Sequence, residues 1–571
     1  MRDKKEFYSI LTDIWERDIS EYVRLIGDFD FTRYVLKINQ INPDQLDAPT
    51  LLMIRVPQSI AGFPPHLFNT PVRRTALEDF LTRKIAAQIE SVARYDQEGL
   101  SRRRLSISEP GQKILPRTSM LVTDEYVEAR IYASLPQRDG RITGQFVKEI
   151  FFEELPEVVN AALVYSNIGA GELEEFVDLM EDADQVRQIL PTRGLVSLVG
   201  EGSHLARMDQ TDYPDYDHIT PLTIAEDLVT EVDVPNAGSV RGLGIPSGIT
   251  LILGDAYSGR TELMNAVASG IYNHVPGDGR ERVVTVPDAV YIKAEAGRSI
   301  QKVDISPFVR KLPGDTEPDQ FSAETADPCS AQAAAAIENL EIGARALLFD
   351  ETSSSPAFLT RDSRLESIMS AAVEKIVPLS VLARQIVDEL GVSIVVAGSS
   401  SVAEFIPVAD TVLRIEDFHV TDVTKDAKTI AVSMPEDTAD TGGITAIVER
   451  NRWIVPTSID PSFSHMDQVI DTPDLKLLNF GNSIIDLSGV TQLADVHQTT
   501  TIGLILYYAK LRYMDEGRPM REVMDLIDRD LSTEGLECLS RDLRGDLARP
   551  RRYEIAAALN RLDTLRISHI D

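Results

Sequence analysis

Cysteine is nearly absent: Cys329 and Cys538 are the two in 571 residues, and they stand in unrelated contexts. They supply neither a disulfide framework nor a metal-ligand cluster, and point to a reducing, cytoplasmic setting. Long hydrophobic runs are missing too. No window of about 18 uncharged apolar residues occurs, which argues against a membrane-spanning helix, and the N-terminus MRDKKEFYSILTDIWERD has no apolar core of signal-peptide length. Basic side chains are in deficit, 57 Lys and Arg against 90 Asp and Glu, giving a formal charge of −33. Such a chain does not coat nucleic acid or an anionic membrane with its whole surface; a local basic groove would be needed. Candidates are Arg102, Arg103 and Arg104, the pair Arg73 and Arg74, and Arg549, Arg551 and Arg552, and for each a solvated or internally paired face is the favoured reading. No aromatic-interleaved basic stretch, internal repeat or low-complexity tract is evident.

What is present is enough apolar residue, 43%, to build several cores, and the length suits three or four domains of about 150 residues each. Phe7, Ile10, Leu11, Ile14 and Trp15 recur at helical spacing and predict an amphipathic helix to about Tyr22. Thr32 to Val56 reads as two strands around a turn at Asn42, Pro43 and Asp44. Thr70 as N-cap and Pro71 at the first helical position open a long helix. Strands follow near Thr118–Val122 and Ala129–Leu135, then helices over Ile142–Ala162 and Glu172–Leu190, and a polar linker at Asp209–Asp217. Beyond Asp437 the text predicts strands at Ile444–Ile454 and helices at Thr499–Tyr513, Met520–Leu531 and in PRRYEIAAALNRL. The expected division is an N-terminal α/β domain over 1–225, a nucleotide-binding core over 226–436 and a mainly helical C-terminal domain over 437–571.

The core is read from GITLILGDAYSGRTEL, Gly248 to Leu263. An apolar strand delivers the chain to a loop bounded by Gly254 and Gly259, and Arg260 and Thr261 then open a helical pattern. This is the grammar of a P-loop, whose backbone N–H groups and helix N-terminus converge on phosphate oxygens. Candidate nucleotide contacts are Gly254, Asp255, Ala256, Tyr257, Ser258, Gly259, Arg260, Thr261 and Glu262, with the Thr261 hydroxyl placed for Mg²⁺. Arg260 stands where the motif has lysine, and a planar fork does not replace a compact ammonium between β- and γ-phosphates, so hydrolysis is more exposed to the change than binding. About ninety residues on, Ala346 to Phe349 predict a buried strand ending in Asp350 and Glu351. This is Walker B logic: Asp350 for the metal, Glu351 to orient or deprotonate the attacking water. Ala326 to Gln332 precedes an alanine-rich helix about twenty residues before Asp350, the place of the ABC signature turn. After the strand Ser393–Ala397 the text is GSSS, so a polar contact there would come from a hydroxyl. Tyr272, Asn273 and His274 lie at a distance compatible with the nucleotide's edge, a turn or core role being favoured.

These blocks, with FPPHLFNTPVRRTALEDFLTR, GQKILPRTS, IFFEELP, IYNHVPGDGRERVVTVPDAVYIKAEAGRSIQKVDISPF, LLFDETSSSPAFLTRD, IDLSGVTQLAD and RPRRYEIAAALNRL, resemble the stand-alone ATPases of the ABC class that are not transporter subunits. The resemblance covers almost the whole chain. It implies an α/β P-loop NTPase fold with flanking N- and C-terminal domains, ATP or ADP with Mg²⁺, a homodimer, and RNA as a partner suggested by the family alone. The family's P-loop resembles GGGYHGKST, so Asp255, Ala256, Ser258, Arg260 and Glu262 are departures, two of them adding charge that repels polyphosphate. The family's signature turn resembles ASGSTSQ, where this chain has ADPCSAQ; Asp327 and Pro328 remove a hydroxyl, a glycine and a backbone donor. Two expectations follow: a nucleotide-gated dimeric switch with slow hydrolysis, or a degenerate ABC-like scaffold that binds RNA or a protein.

Overall fold

The computed structural model describes all residues except 42–47, 94–103, 210, 218, 313, 315, 362–375, 433–442, 467, 516 and 570–571. The expected turn at Asn42, Pro43 and Asp44, and Arg102 and Arg103, lie outside the described residues. The chain forms two compact units: Met1–Glu181 with Leu536–Arg549, and Asp182–Gly535 with Pro550–Asp571. Among the described residues no helix is long and apolar enough to cross a membrane.

The first unit is built on a seven-stranded sheet in the order Arg2–Asp3, Gly27–Asp30, Val35–Ile38, Thr50–Pro57, Tyr126–Ala133 and Leu105–Ser106, with Met120–Val122 also pairing Tyr126–Ala133. Its helix Pro71–Val92 starts as read, with the Thr70 hydroxyl accepting from Arg73 N–H and Pro71 at the first position. The first helix is shorter than expected. It runs Lys4–Ile14; Glu16 takes a left-handed backbone, and Asp18 then caps a separate 3₁₀ turn, Ile19–Leu25. The apolar period hides this break because Phe7, Leu11 and Ile14 and, later, Tyr22 and Leu25 all reach buried positions. The helix read over Ile142–Ala162 is interrupted by a π-turn, Ile150–Glu154, just ahead of Pro156, which has no N–H to continue the ladder. The late segment Leu536–Arg549 belongs here: Thr118 N–H donates to the Leu547 carbonyl at 3.0 Å and Leu547 N–H to the Thr118 hydroxyl at 3.1 Å.

The second unit holds a seven-stranded sheet in the order Thr223–Ile224, His419–Asp422, Thr411–Glu416, Ile249–Leu253, Ser393–Gly398, Ala346–Asp350, Ala289–Tyr291. All pairs are parallel except the hairpin Thr411–Glu416 with His419–Asp422. A four-stranded antiparallel sheet, Val229–Val234, Gly238–Pro246, Leu195–Gly200, Val283–Thr285, stands beside it. The later part of this unit is mainly helical, with Val496–Arg512, Met520–Thr533 and Arg552–Asn560 near the three-stranded Ile470–Asp486 meander. One expectation is corrected: Ile444–Val448 is a helical turn, and only Arg452–Ile454 is strand. Its β-branched residues suggest a strand, but Ile444 and Val448 are both buried at a spacing of four, which one helical face satisfies and an alternating strand equally permits.

Candidate functional site

Ile249–Leu253 lies between two parallel neighbours, Ser393–Gly398 and Thr411–Glu416, and is covered on both faces, which is why it reads as an unbroken apolar run. At its carboxyl end the chain turns sharply. A Cβ on Gly254 would strike the Ser258 hydroxyl and the Ile415 side chain, and Gly259 has φ +92° with Phe418 ring carbons 2.7 Å from where its Cβ would stand. Both positions therefore require glycine. Between them Asp255, Ala256 and Tyr257 are exposed, Tyr257 at 99% and with φ +67°, while Ser258 is buried. The helix Arg260–Ser269 follows, with Thr261 and Glu262 half-buried in its first turn.

Arg260 is 7% exposed. Its Nη1 donates to the Gly254 carbonyl at 2.7 Å and lies 3.8 Å from the Glu351 carboxylate. The guanidinium is thus turned back on its own loop. Ala346–Asp350, the fully buried strand read as Walker B, sits between Ser393–Gly398 and Ala289–Tyr291. Asp350 is 0% exposed; its Oδ1 accepts from Thr352 N–H at 2.8 Å and Thr352 Oγ1 at 2.5 Å. Of the buried side-chain atoms without a hydrogen-bond partner among the described residues, three fall at this site: Asp350 Oδ2, Ser258 Oγ and Arg260 Nε. A phosphate, metal or water reaching the carboxyl end of the sheet would satisfy them.

Glu351 is held differently. It accepts from Ser399 N–H, from Ser399 Oγ at 2.9 Å and from Ser401 Oγ at 2.7 Å. Burial pushes its carboxyl up, but the Ser401 and Ser399 donors and the Arg260 charge outweigh that and hold it below the usual glutamate range. The GSSS segment therefore does supply hydroxyl contacts, and they go to Glu351.

The alanine-rich helix runs Pro328–Glu341, and its N-terminus is capped in cis: the Asp327 carboxylate accepts from Cys329 N–H at 2.9 Å and Ser330 N–H at 3.1 Å. Those are the donors that an unmodified signature turn would offer to an anion. Gln332 ties the helix to the stretch after Walker B, donating to Ser354 Oγ at 2.9 Å and accepting from Ser355 N–H at 2.8 Å. Burial pushes the Cys329 thiol up to about 12, so it is an inert core residue. Tyr272 and His274 have core roles: the Tyr272 hydroxyl accepts from Gln498, and His274 Nδ1 is 2.6 Å from buried Asp278.

Most of the basic candidates are internally engaged. Arg73 pairs with Asp178 and Glu181, Arg104 with Glu149 and Glu154, Arg551 with Glu554, and Arg552 with Asp525 and Asp528. The Arg74 guanidinium donates to the Phe68 carbonyl at 3.4 Å.

The fold therefore gathers Gly254, Ser258, Arg260 and Glu351 at the carboxyl ends of two parallel strands of one sheet with Ser393–Gly398 between them, as open parallel sheets do with ligand sites. Sequence reasoning missed two features. Phe418, in a hairpin where Asp417 and Phe418 both have positive φ, lies against Gly259 and donates its N–H to the Ser258 carbonyl at 2.9 Å; nothing local marks it. Asp327 is legible as a cap, since Asp-Pro before an alanine-rich run is a helix start.

Three family models match in succession: the N-terminal domain of ATPases of the ABC class over 4–166, the P-loop domain of ABC ATPases over 169–451, and the MRB1590 C-terminal domain over 469–568. Uncharacterized protein MJ1628 of Methanocaldococcus jannaschii is 27% identical over 245 residues, 41% of this chain and 52% of that protein. The chain thus spans about half the length of the curated relative it matches. The solved structure of cbiO1 from Clostridium perfringens, part of the ABC transporter complex cbiONQ, aligns with 42% of this chain and 93% of its own at 15% identity and a TM-score of 0.25. With the P-loop, Walker B and N-terminal blocks all accounted for, the chain belongs to the ATPases of the ABC class.

Proposed function

We propose that this chain binds ATP and ADP with Mg²⁺ at the P-loop and hydrolyses ATP slowly, as a nucleotide-gated homodimeric switch. The observation that carries the binding half is the set of unpartnered buried atoms, Asp350 Oδ2, Ser258 Oγ and Arg260 Nε, at a loop whose two glycines admit no side chain. The residues fit the metal: Asp350 and Thr261 would hold Mg²⁺, which neutralises charge on the phosphates when bound. Among the described residues no cluster of three or more His, Cys, Asp or Glu could hold a metal, so phosphate oxygens and water would complete the shell.

Slow hydrolysis is supported by two contacts. Glu351, the residue assigned to the attacking water, is held ionised by serine donors and Arg260, which lowers its basicity. Asp327 fills the helix N-terminus that would reach the partner subunit's nucleotide. This cap also favours the second reading, a catalytically degenerate scaffold that binds RNA or a protein partner. The engaged arginines give the RNA version little support.

A calorimetric titration with Mg-ATP, with phosphate release and molecular mass followed in the same sample, tests both. The proposal expects binding, a doubling of mass, and turnover well below about 1 per second. Turnover at or above that rate would refute slow hydrolysis. Binding with no release at all would favour the scaffold, and no binding would refute the nucleotide reading.

A further inference from the structure

We propose that the first unit holds a binding site for a small organic anion, a carboxylate carried on an aromatic or branched apolar body, in the cavity between the turn at Phe31–Tyr34 and the helix Leu155–Ala162. The site lies wholly within that unit and does not depend on the nucleotide reading.

The turn makes one wall. Thr32 takes a left-handed backbone with φ +72°, its N–H donates to the Asp30 carboxylate at 2.6 Å, and Phe31 N–H donates to the Tyr34 carbonyl at 2.9 Å. This tight closure stacks the Phe31 and Tyr34 rings, with centroids 5.2 Å apart and planes 17° from parallel. The helix supplies Val159 and Asn160 opposite, and the space enclosed is about 140 Å³. Phe31, Tyr34, Val56, Val159 and Val164, which line it, are buried, whereas Lys4, Arg33 and Asn160, which also line it, are exposed. The apolar residues are therefore its floor and the polar ones its mouth. The volume suits a single ring or a branched chain, since an apolar cavity of roughly 150 Å³ holds benzene.

The mouth is cationic. Arg33 Nη1 donates to Asn160 Oδ1 at 2.7 Å, a bond that joins the turn to the helix and fixes the guanidinium there. The Lys4 ammonium stands 5.7 Å from the Phe31 ring centroid and 5.4 Å from that of Phe152. Neither cation has a carboxylate within 4.0 Å among the described residues, although acids outnumber bases 90 to 57 in the chain and Arg55, Arg73 and Arg104 of the same unit each hold one. An apolar floor alone would select a neutral hydrocarbon. Two cations without carboxylate partners at its mouth select an anion with an apolar body, the planar fork of Arg33 matching a carboxylate and Lys4 adding a point charge.

The test is titration of the full chain with benzoate and, separately, with benzyl alcohol, a neutral body of similar size, followed by calorimetry and ligand-observed NMR. The expected result is a benzoate Kd of about 1 mM or tighter, with benzyl alcohol about tenfold weaker. Arg33→Gln and Lys4→Gln change exposed side chains, and each should weaken benzoate about fivefold or more while leaving benzyl alcohol within about twofold. Val159→Phe, which fills the cavity, should abolish binding of both at unchanged far-UV circular dichroism. Absence of benzoate binding at about 10 mM would overturn the proposal, as would equal affinity for the two probes. Benzoate affinity unchanged in Arg33→Gln and Lys4→Gln, or retained in a folded Val159→Phe chain, would overturn it too. If Val159→Phe does not fold, the two variants at the mouth decide.

Discussion

Lysine at position 260 would reach toward the phosphates as a point charge, whereas the arginine found there spends its fork on the Gly254 carbonyl and on Glu351. Asp327 acts independently, by occupying two N–H groups at the start of the alanine-rich helix. The two blocks predict a non-additive pair. Arg260→Lys alone should leave ATP turnover within about threefold of the parent. Asp327→Ser keeps a good N-cap, so it should cost little stability, on the order of 0.5 kcal/mol. The double variant should raise turnover about tenfold or more, read as steady-state phosphate release. A large gain from Arg260→Lys alone would mean that the Asp327 cap does not limit the reaction.

The P-loop and the hairpin at Asp417 and Phe418 form one mechanical assembly at the scale of elements. The hairpin places two non-glycine residues at positive φ, a conformation costing about 1 kcal/mol or more that persists when the surroundings demand it. Here the ring lies on Gly259 and the backbone bonds Ser258. Gly259→Ala must push Phe418 aside while holding φ near +92°, so a loss of about 2 kcal/mol or more is expected in urea unfolding, with nucleotide binding reduced in step. An Ala variant as stable as the parent would show that the loop relaxes freely. A second effect at this scale concerns Glu78 on helix Pro71–Val92, which accepts from Val122 N–H at 2.9 Å. Burial pushes its carboxyl up to about 8. The folded chain thus holds a proton that the unfolded chain releases near pH 4.5, so this group's contribution is full below that value and is lost as pH rises toward 8. Glu78→Gln should remove a decline on the order of 3 kcal/mol between pH 5 and pH 8, measured as the difference between the two chains' unfolding free energies.

For the whole molecule the charge of −33 is the dominant fact. Self-repulsion among surface carboxylates destabilises the compact state and is screened over about 8 to 10 Å at physiological salt. Raising NaCl from about 50 to about 500 mM should therefore raise the unfolding midpoint by several degrees. A midpoint that falls with salt would mean that the ion pairs of Arg73, Arg104, Arg551 and Arg552 outweigh the repulsion.

The sequence by itself determined the features that depend on neighbours along the chain. Strand, glycine loop and helix start at Ile249–Thr261, the Asp350 strand end and the Thr70–Pro71 helix start are all local grammar: a buried parallel strand must be apolar throughout, and a loop this tight needs glycine at the two positions where a Cβ would clash. Tertiary structure alone decided the contacts between distant segments. That Ser399 and Ser401 bind Glu351, that Phe418 covers Gly259 and that Leu536–Arg549 joins the first unit follow from strand order and return of the chain. Those depend on which surfaces bury the most area together, a property of the whole chain that no local window contains.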